Sequence, residues 1–296
     1  MVKASVIIAV HNGAHSIQKT IHSILMSLEG LIEVIAVNDA SDDSTQSVLN
    51  EFSDPRLRIL QTHRRMGPAH SRNLGIQEAQ GPILFFTDAD CEVEPNWISE
   101  GLASLASPEI LGVEGRIRYG EDNPTLRHRL PIQMFCLRND TAHLWAAGSQ
   151  FCTGNVAYRT DAVRRLNGFN ENRYQNGRED SDLGWRIRSL GATAYNDKMI
   201  VTHHAQLWDW ASLAENARRY AKDVYFYKDH QSFFYQLGPI LHPKYLAMLI
   251  FPPLLLLNTR LTRPADFLFL PQFYGYLLKL RLEIWKAALS ERILAL

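Results

Sequence analysis

The chain has 296 residues, 46% hydrophobic and 21% charged, with no net charge. That is ample material for a full core and too apolar for disorder, and the neutral balance offers no electrostatic footprint for nucleic acid. The charge is nevertheless uneven: residues 216–296 carry 11 Lys and Arg against 5 Asp and Glu, leaving 20 against 26 in the remainder. An acidic body with a basic, aromatic tail suggests that the tail meets something anionic, such as a membrane surface.

Cys91, Cys136 and Cys152 are far apart and odd in number. Their spacing indicates neither a zinc site nor a disulfide framework, and fits a reducing, cytoplasmic compartment. The run Ser5 to Val10 is too short for a secretory signal, and no uninterrupted apolar stretch has the length of an ordinary membrane-spanning helix.

In chain order, Ala4 to Val10 reads as a buried strand ending at the turn cluster His11-Asn12-Gly13. Ser16 to Leu28 carries Ile17, Ile21, Ile24 and Leu25 at helical spacing. Ile32 to Val37 reads as a second buried strand running into the polar segment Asn38 to Ser44, where Ser44 is placed to cap a helix over Thr45 to Phe52. Leu57 to Thr62 is a third short strand, and Ala69 to Ala79 a helix stopped at Gly81. The apolar run from Ile83 then ends in Asp88-Ala89-Asp90, two carboxylates flanking one small residue.

Strands alternating with helices of this size predict a doubly wound α/β layer, its strands mostly parallel, with the polar strand ends gathered on one edge. Two adjacent carboxylates repel, and a site that keeps both ionised usually holds a cation. An acidic turn after a strand is the plainer reading of the pair.

Further on, Gly112 to Arg118 reads as a strand, 119–130 as a loop, Pro131 to Trp145 as a helix, and Thr160 to Leu166 as a short helix. Arg178-Glu179-Asp180-Ser181-Asp182 precedes an amphipathic helix over Leu183 to Leu190, with Asp182 a candidate cap. Ala192 to Tyr195 and Lys198 to Thr202 read as two short strands leading into His203-His204. From Leu213 the pattern turns helical and aromatic: Tyr245 to Leu257 is apolar but broken by Pro252-Pro253, and Gln272 to Leu294 is a second such stretch. The expected division is a catalytic domain over 1–212 and a helical C-terminal region over 213–296.

There is no G-x-G-x-x-G after the first strand, no P-loop motif and no G-x-S-x-G elbow, which disfavours dinucleotide oxidoreductases, P-loop enzymes and serine hydrolases of the elbow type. The ordered set Val6 to Asn12, Val37-Asn38-Asp39-Ala40-Ser41, Ala69 to Gly75, Thr87-Asp88-Ala89-Asp90, Phe151 to Gly168 and Arg178-Glu179-Asp180 resembles family-2 glycosyltransferases of the GT-A fold, over roughly residues 1–205.

The resemblance implies a Rossmann-like α/β fold with a mixed, mostly parallel sheet, helices on both faces and a C-terminal helical appendage. It also implies inverting transfer of a sugar from a nucleotide-sugar donor, a UDP-sugar, to a hydroxyl. Val10, His11, Asn12 and Asp39 would lie at the base, with Asp39 accepting from an imide N–H. Arg72 would neutralise phosphate, and Asp88 and Ala89 would line the donor. Asp90 would bind Mg2+ or Mn2+, joined by His203 rather than His204. Asp180 would be the catalytic base, and Gly154, Asn155 and Glu179 would meet the acceptor.

His11 stands where the family often has Tyr, Asn38 where it usually has Asp and Ala40 where it usually has Gly. The Gln-x-x-Arg-Trp of processive members is missing from Asn216 to Tyr220, which implies single addition. A glycan or lipid-linked acceptor and peripheral attachment to the cytoplasmic face of a membrane would suit the tail. A nucleotidyltransferase is the competing enzyme reading; it would need a Gly-rich basic loop after the first strand. A non-catalytic nucleotide-sugar binder need not keep Asp88, Asp90 and Asp180.

Overall fold

The first strand, β1 (Ala4–Val10), is the hub of an eight-stranded sheet. A computed structural model describes residues 2–27, 32–119, 151–174, 177–204, 210–230 and 270–292. In parallel with β1 lie β2 (Ile32–Asn38) on one side and β4 (Ile83–Phe86) on the other, and β3 (Leu57–Gln61) continues beyond β2. The chain therefore steps outward from β1 to β3 and returns to the far side of β1. That reversal of strand order is the switch point where open α/β sheets bind ligands.

The other half of the sheet is mixed. β7 (Val156–Arg159) runs antiparallel to β4, and β6 (Ile110–Tyr119) antiparallel to β7. β8 (Ala192–His203) is parallel to β6, and the three-residue β5 (Cys91–Val93) closes the edge against β8. The register Phe86↔Val156 sets residues 153–155 beside the end of β4, and Cys91↔His203 carries the chain just past Asp90 to the end of β8.

Strand alternation divides the core between two faces. Val6, Ile8, Val34, Ala36 and Phe85 pack on one face with α1 (Ile17–Leu25) and α4 (Trp97–Ser104). Ile7, Ile35, Val37, Leu84 and Phe86 pack on the other with α3 (Pro68–Glu78), α5 (Thr160–Arg165) and α6 (Glu179–Leu190). With both faces covered, near-continuous apolar strands follow. Phe85 and Trp97 meet edge to face with ring centroids 4.9 Å apart, a geometry that adds about 1 kcal/mol to the burial itself. Gly101 permits the approach, since a Cβ there would meet Phe85 Cε1 at 2.3 Å.

Three expectations change. Ser44 occupies the cap position of α2 (Thr45–Asn50), but its side chain makes no capping bond; Asp43 accepts from the Thr45 N–H at 2.9 Å instead. The helix expected from Leu183 begins at Glu179, and Asp182 does not cap it but pairs with Arg186 one turn on. The two strands expected on either side of Asn196-Asp197 are one strand with an irregularity there, where Gly115 pairs with Asn196 and Arg116 with Ile200. β5 and α4 had no counterpart in the sequence reading.

Contacts divide the chain into two units, one of residues 1–120 and 146–204, the other of 121–145 and 205–296. In the second, the described helices are α7 (Trp210–Ala221), α8 (Asp223–Asp229) and α9 (Leu270–Ser290), with Ala221, Val224, Ile284, Ala287 and Ala288 buried together. Most of the loop expected over 119–130, the helix over Pro131 to Trp145 and the segment Tyr245 to Leu257 lie outside the described residues.

Candidate active site

The C-terminal ends of β1 and β2 are tied by their loops. The Asp39 N–H donates to the carbonyl of Val10 at 2.8 Å, and His11 Nδ1 donates to the carbonyl of Asp39 at 2.8 Å. Asn12 and Ala40 both take the left-handed backbone, at φ 54° and 49°. Asn12 Oδ1 accepts from the Asp42 N–H, and Ser41 Oγ accepts from the Asn12 N–H, each at 3.0 Å. Asn38, the departure from the family's Asp, is fully buried: its Oδ1 accepts from Ser41 N and Oγ, and its Nδ2 donates to Gln46. An amide can both donate and accept in this way, which an ionised carboxylate cannot.

Asp39 is 3% exposed and already works for the protein. Its Oδ1 accepts from Thr62 Oγ1 at 3.0 Å and the Met66 N–H at 2.8 Å, and its Oδ2 from the Gly67 N–H at 2.7 Å. A carboxylate has about four acceptor positions; the three in use lock the segment ahead of α3 onto the end of β2.

Arg72, from α3, is 6% exposed. Its Nη2 donates to Asp88 Oδ1 and its Nη1 to Glu179 Oε1, both at 2.9 Å, while the Phe169 ring lies 5.7 Å from the guanidinium carbon. Each terminal nitrogen gives one of its two N–H groups to a protein carboxylate. The planar fork suits this, because it bridges two carboxylates at once where a lysine ammonium acts as a point charge. Glu179, 3% exposed, gives its other oxygen to the Gly177 N–H at 2.6 Å.

Beyond Asp88 the chain turns through Ala89, whose carbonyl accepts from Thr20 Oγ1 at 2.9 Å. Asp88, Asp90, Cys91 and His203 each place a donor atom within 4.8 Å of the others. His203 Nε2 is 3.5 Å from Asp90 Oδ1, whereas His204 Nε2 turns to Glu92 Oε1 at 2.8 Å. Alternation along β8 thus sends one imidazole of the pair to the acidic cluster, and it is His203. Burial raises the Asp90 carboxyl above the usual range; His203 pulls it back and Asp88 pushes it up again. Two carboxylates and an imidazole crowded together in this way fit a divalent cation, whose charge would relieve the repulsion between the carboxylates.

Asp180 stands in the first turn of α6, behind Arg178 in the left-handed conformation at φ 68°. One of its oxygens accepts from the Ser181 N–H at 2.7 Å. Its pKa is pushed up to about 7, by burial first and by the Glu179 charge second, with the Ser181 N–H and Arg72 opposing. A carboxylate at a helix N-terminus is ordinarily favoured; here desolvation wins.

Gly154 lies beside the acidic pair: its carbonyl accepts from Thr87 Oγ1 at 3.0 Å, and a Cβ on it would sit 3.5 Å from Asp88 Oδ2. Asn155 turns the other way. It is fully buried, with Oδ1 accepting from Trp97 Nε1 at 2.7 Å and Nδ2 donating to the carbonyls of Met199 and Arg116 at 2.8 and 2.9 Å. Both amide hydrogens are in use, so its side chain braces β6, β8 and α4. Cys91 was not among the expected ligands, although its place next to Asp90 was the available signal.

A doubly wound sheet whose switch point carries an acidic pair, with a third carboxylate on a helix over the mixed half, has the GT-A architecture. Residues 5–166 match the model of glycosyl transferase family 2, and the chain belongs to that family. Residues 135–205 also match the model described as the N-terminal domain of galactosyltransferase. Glycosyltransferase AglE of Haloferax volcanii is 31% identical over 123 residues, 40% of each chain, so the chain spans about two fifths of the length of that relative. Among solved structures, the mannosyltransferase PcManGT of Pyrobaculum calidifontis, in complex with GDP-Man and Mn2+, superposes with a TM-score of 0.66 at 20% identity, covering 96% of this chain and 87% of that one. TarS 1–349 of S. aureus in complex with UDP-GlcNAc gives 0.58 at 12% identity, covering 98% and 92%. At those identities the likeness is one of fold.

Proposed function

We propose that the chain is an inverting glycosyltransferase that moves a sugar from a UDP-sugar to a hydroxyl of a glycan or lipid-linked acceptor, aided by Mg2+ or Mn2+. The observation that carries this reading is the buried guanidinium of Arg72, which joins Asp88 of the cation cluster to Glu179, next to the high-pKa Asp180. Leaving-group and acceptor functions are thereby held at a fixed relation on one sheet edge.

Asp90 and His203, with Asp88 alongside, would hold the ion, which supplies charge neutralisation for a departing diphosphate. His11, Asn12 and the ends of β1 and β2 would border the base, with the remaining acceptor position of Asp39 facing its imide N–H. Asp180 takes the proton from the acceptor hydroxyl as that oxygen attacks the anomeric carbon from the side opposite the leaving group. One direct displacement inverts the configuration. A base with a pKa near neutrality suits this task, because it is ionised at working pH and still basic enough to accept the proton.

With UDP- and GDP-sugars offered in turn, a UDP-sugar is expected to give acceptor-dependent nucleotide release that needs Mn2+ or Mg2+ and falls by about 100-fold or more in Asp90→Ala, in line with several kcal/mol of charge stabilisation. Release at full rate in EDTA overturns the metal-assisted reading.

We also propose that the C-terminal unit meets an anionic membrane surface and that the protein acts in the cytoplasm, in keeping with the free thiols of Cys91 and Cys152. Leu278, Leu282, Trp285 and Leu289 are 43, 51, 45 and 79% exposed and recur on one face of α9. The six-charge surplus of residues 216–296 is complementary to anionic lipid. Among the described residues no helix is long and apolar enough to cross a membrane, so the contact would be interfacial. The full chain should sediment with phosphatidylglycerol vesicles, and Leu282→Glu with Leu289→Glu should release it; equal sedimentation of both proteins removes the proposal.

A further inference from the structure

Cys91 brings a different chemistry to the cation cluster. Its sulfur belongs to the set of donor atoms that lie within 4.8 Å of one another, with Asp88, Asp90 and His203. The sulfur is 3.9 Å from Asp90 Oδ1, and His203 Nε2 is 3.5 Å from that same oxygen. A tetrahedral zinc ion, with bonds of about 2.0 Å to oxygen and nitrogen and about 2.3 Å to sulfur, holds neighbouring O and N ligands about 3.3 Å apart and O and S ligands about 3.5 Å apart. Both observed edges fall within a few tenths of an ångström of those values. The backbone explains the arrangement: Cys91 is directly opposite His203 in the antiparallel β5–β8 ladder, and directly opposed residues project to the same face.

We propose that Cys91 is the fourth ligand of a closed, zinc-type site formed with Asp88, Asp90 and His203, and that a thiophilic divalent ion seated there shuts out the donor diphosphate. The inference rests on reading this cluster as the seat of the divalent ion. Mg2+ and Mn2+ prefer oxygen and do not draw the sulfur in, so positions stay open for phosphate oxygens. Zn2+ and Cd2+ accept thiolate, imidazole and carboxylate together. As the metal–sulfur bond forms, the thiol proton passes to solvent; nothing is oxidised. Four protein ligands then complete the tetrahedron, as in structural zinc sites, which keep no open position. Cysteine spacing excluded a zinc site made of cysteines; this one needs a single cysteine, and the fold supplies the other three ligands.

The test uses the full chain stripped with EDTA. Mn2+ is titrated by its paramagnetic resonance signal, and Cd2+ by the thiolate-to-cadmium charge-transfer band. The wild type should bind one Mn2+, develop the band with one equivalent of Cd2+, and release its Mn2+ as Cd2+ or Zn2+ binds. Cys91→Ser should still bind Mn2+, lose the band, and lose about 100-fold of its preference for Zn2+ over Mn2+, the share of one ligand in four; Cys152→Ser should keep the band. A band that survives in Cys91→Ser, or Zn2+ bound alongside Mn2+ in the wild type, overturns the proposal; the second result needs no variant to fold. Mn2+ binding without a Cd2+ band removes the Cys91 ligation alone. A band without Mn2+ binding removes the catalytic-ion reading and leaves the ligation standing.

Discussion

Asp180→Asn is expected to bind donor with near wild-type affinity and to turn over about a thousandfold more slowly, within the range of about 10² to 10⁴ that a positioned general base contributes. The amide keeps the shape but cannot accept the proton. In the wild type, only the carboxylate form works, so kcat/KM should rise with pH up to about 7, where the carboxyl titrates, and level off above it. A second readout is independent of activity. The carboxyl titrates near 7 in the fold and near about 3.9 when unfolded. The fold therefore disfavours its ionised form: the loss of stability is absent below about pH 4, grows between about pH 4 and 7 and is complete above that. Asp180→Asn removes it, so the variant should gain more in Tm at pH 8 than at pH 5. Acceptor-dependent turnover at the wild-type rate would end the base assignment, and an equal Tm gain at both pH values would show that burial does not set this carboxyl.

The parallel half of the fold was readable because buried strands there are apolar runs closed by polar clusters. The expected limits of β1 match the structure, and those of β2, β3 and α3 fall within one residue of it. Of the candidate site, the resemblance pointed to Asp88, Asp90, His203 and Asp180, and the fold brings Asp88, Asp90 and His203 together. What it did not supply depends on distance along the chain. β5 is three residues that are a strand only because β8 pairs with them, so no local pattern marks it. Asn155 sits in a motif segment, and the partners of its side chain are Trp97, Arg116 and Met199, 58, 39 and 44 residues away. The start of α6 was placed four residues late because Glu179, Asp180 and Asp182 are polar, and polar residues at a helix start read as loop until Glu179 is seen buried against Arg72.

Arg72 was read as a phosphate ligand, and its internal pairing yields a different set of outcomes for Arg72→Gln. Removing the guanidinium leaves Glu179 buried and unpaired, which costs about 3–5 kcal/mol for a buried ion pair broken from one side, and Tm should fall accordingly. Because Arg72 lowers the Asp180 pKa, its loss should move the acidic limb of kcat/KM to higher pH. Arg72 also holds a positive charge 2.9 Å from Asp88 Oδ1, which opposes a cation at the same cluster. Arg72→Gln should therefore bind Mn2+ more tightly while working more slowly. Arg72→Lys, with one ammonium in place of the fork, should recover part of the pH shift but not the bridge to both carboxylates. A residue whose main work is to bind phosphate would behave otherwise: its loss would weaken the donor Kd and leave both Mn2+ affinity and the pH limb in place. Tighter Mn2+ binding together with a displaced limb therefore identifies Arg72 as the strut between leaving group and base, and a pure loss of donor affinity returns it to the phosphate.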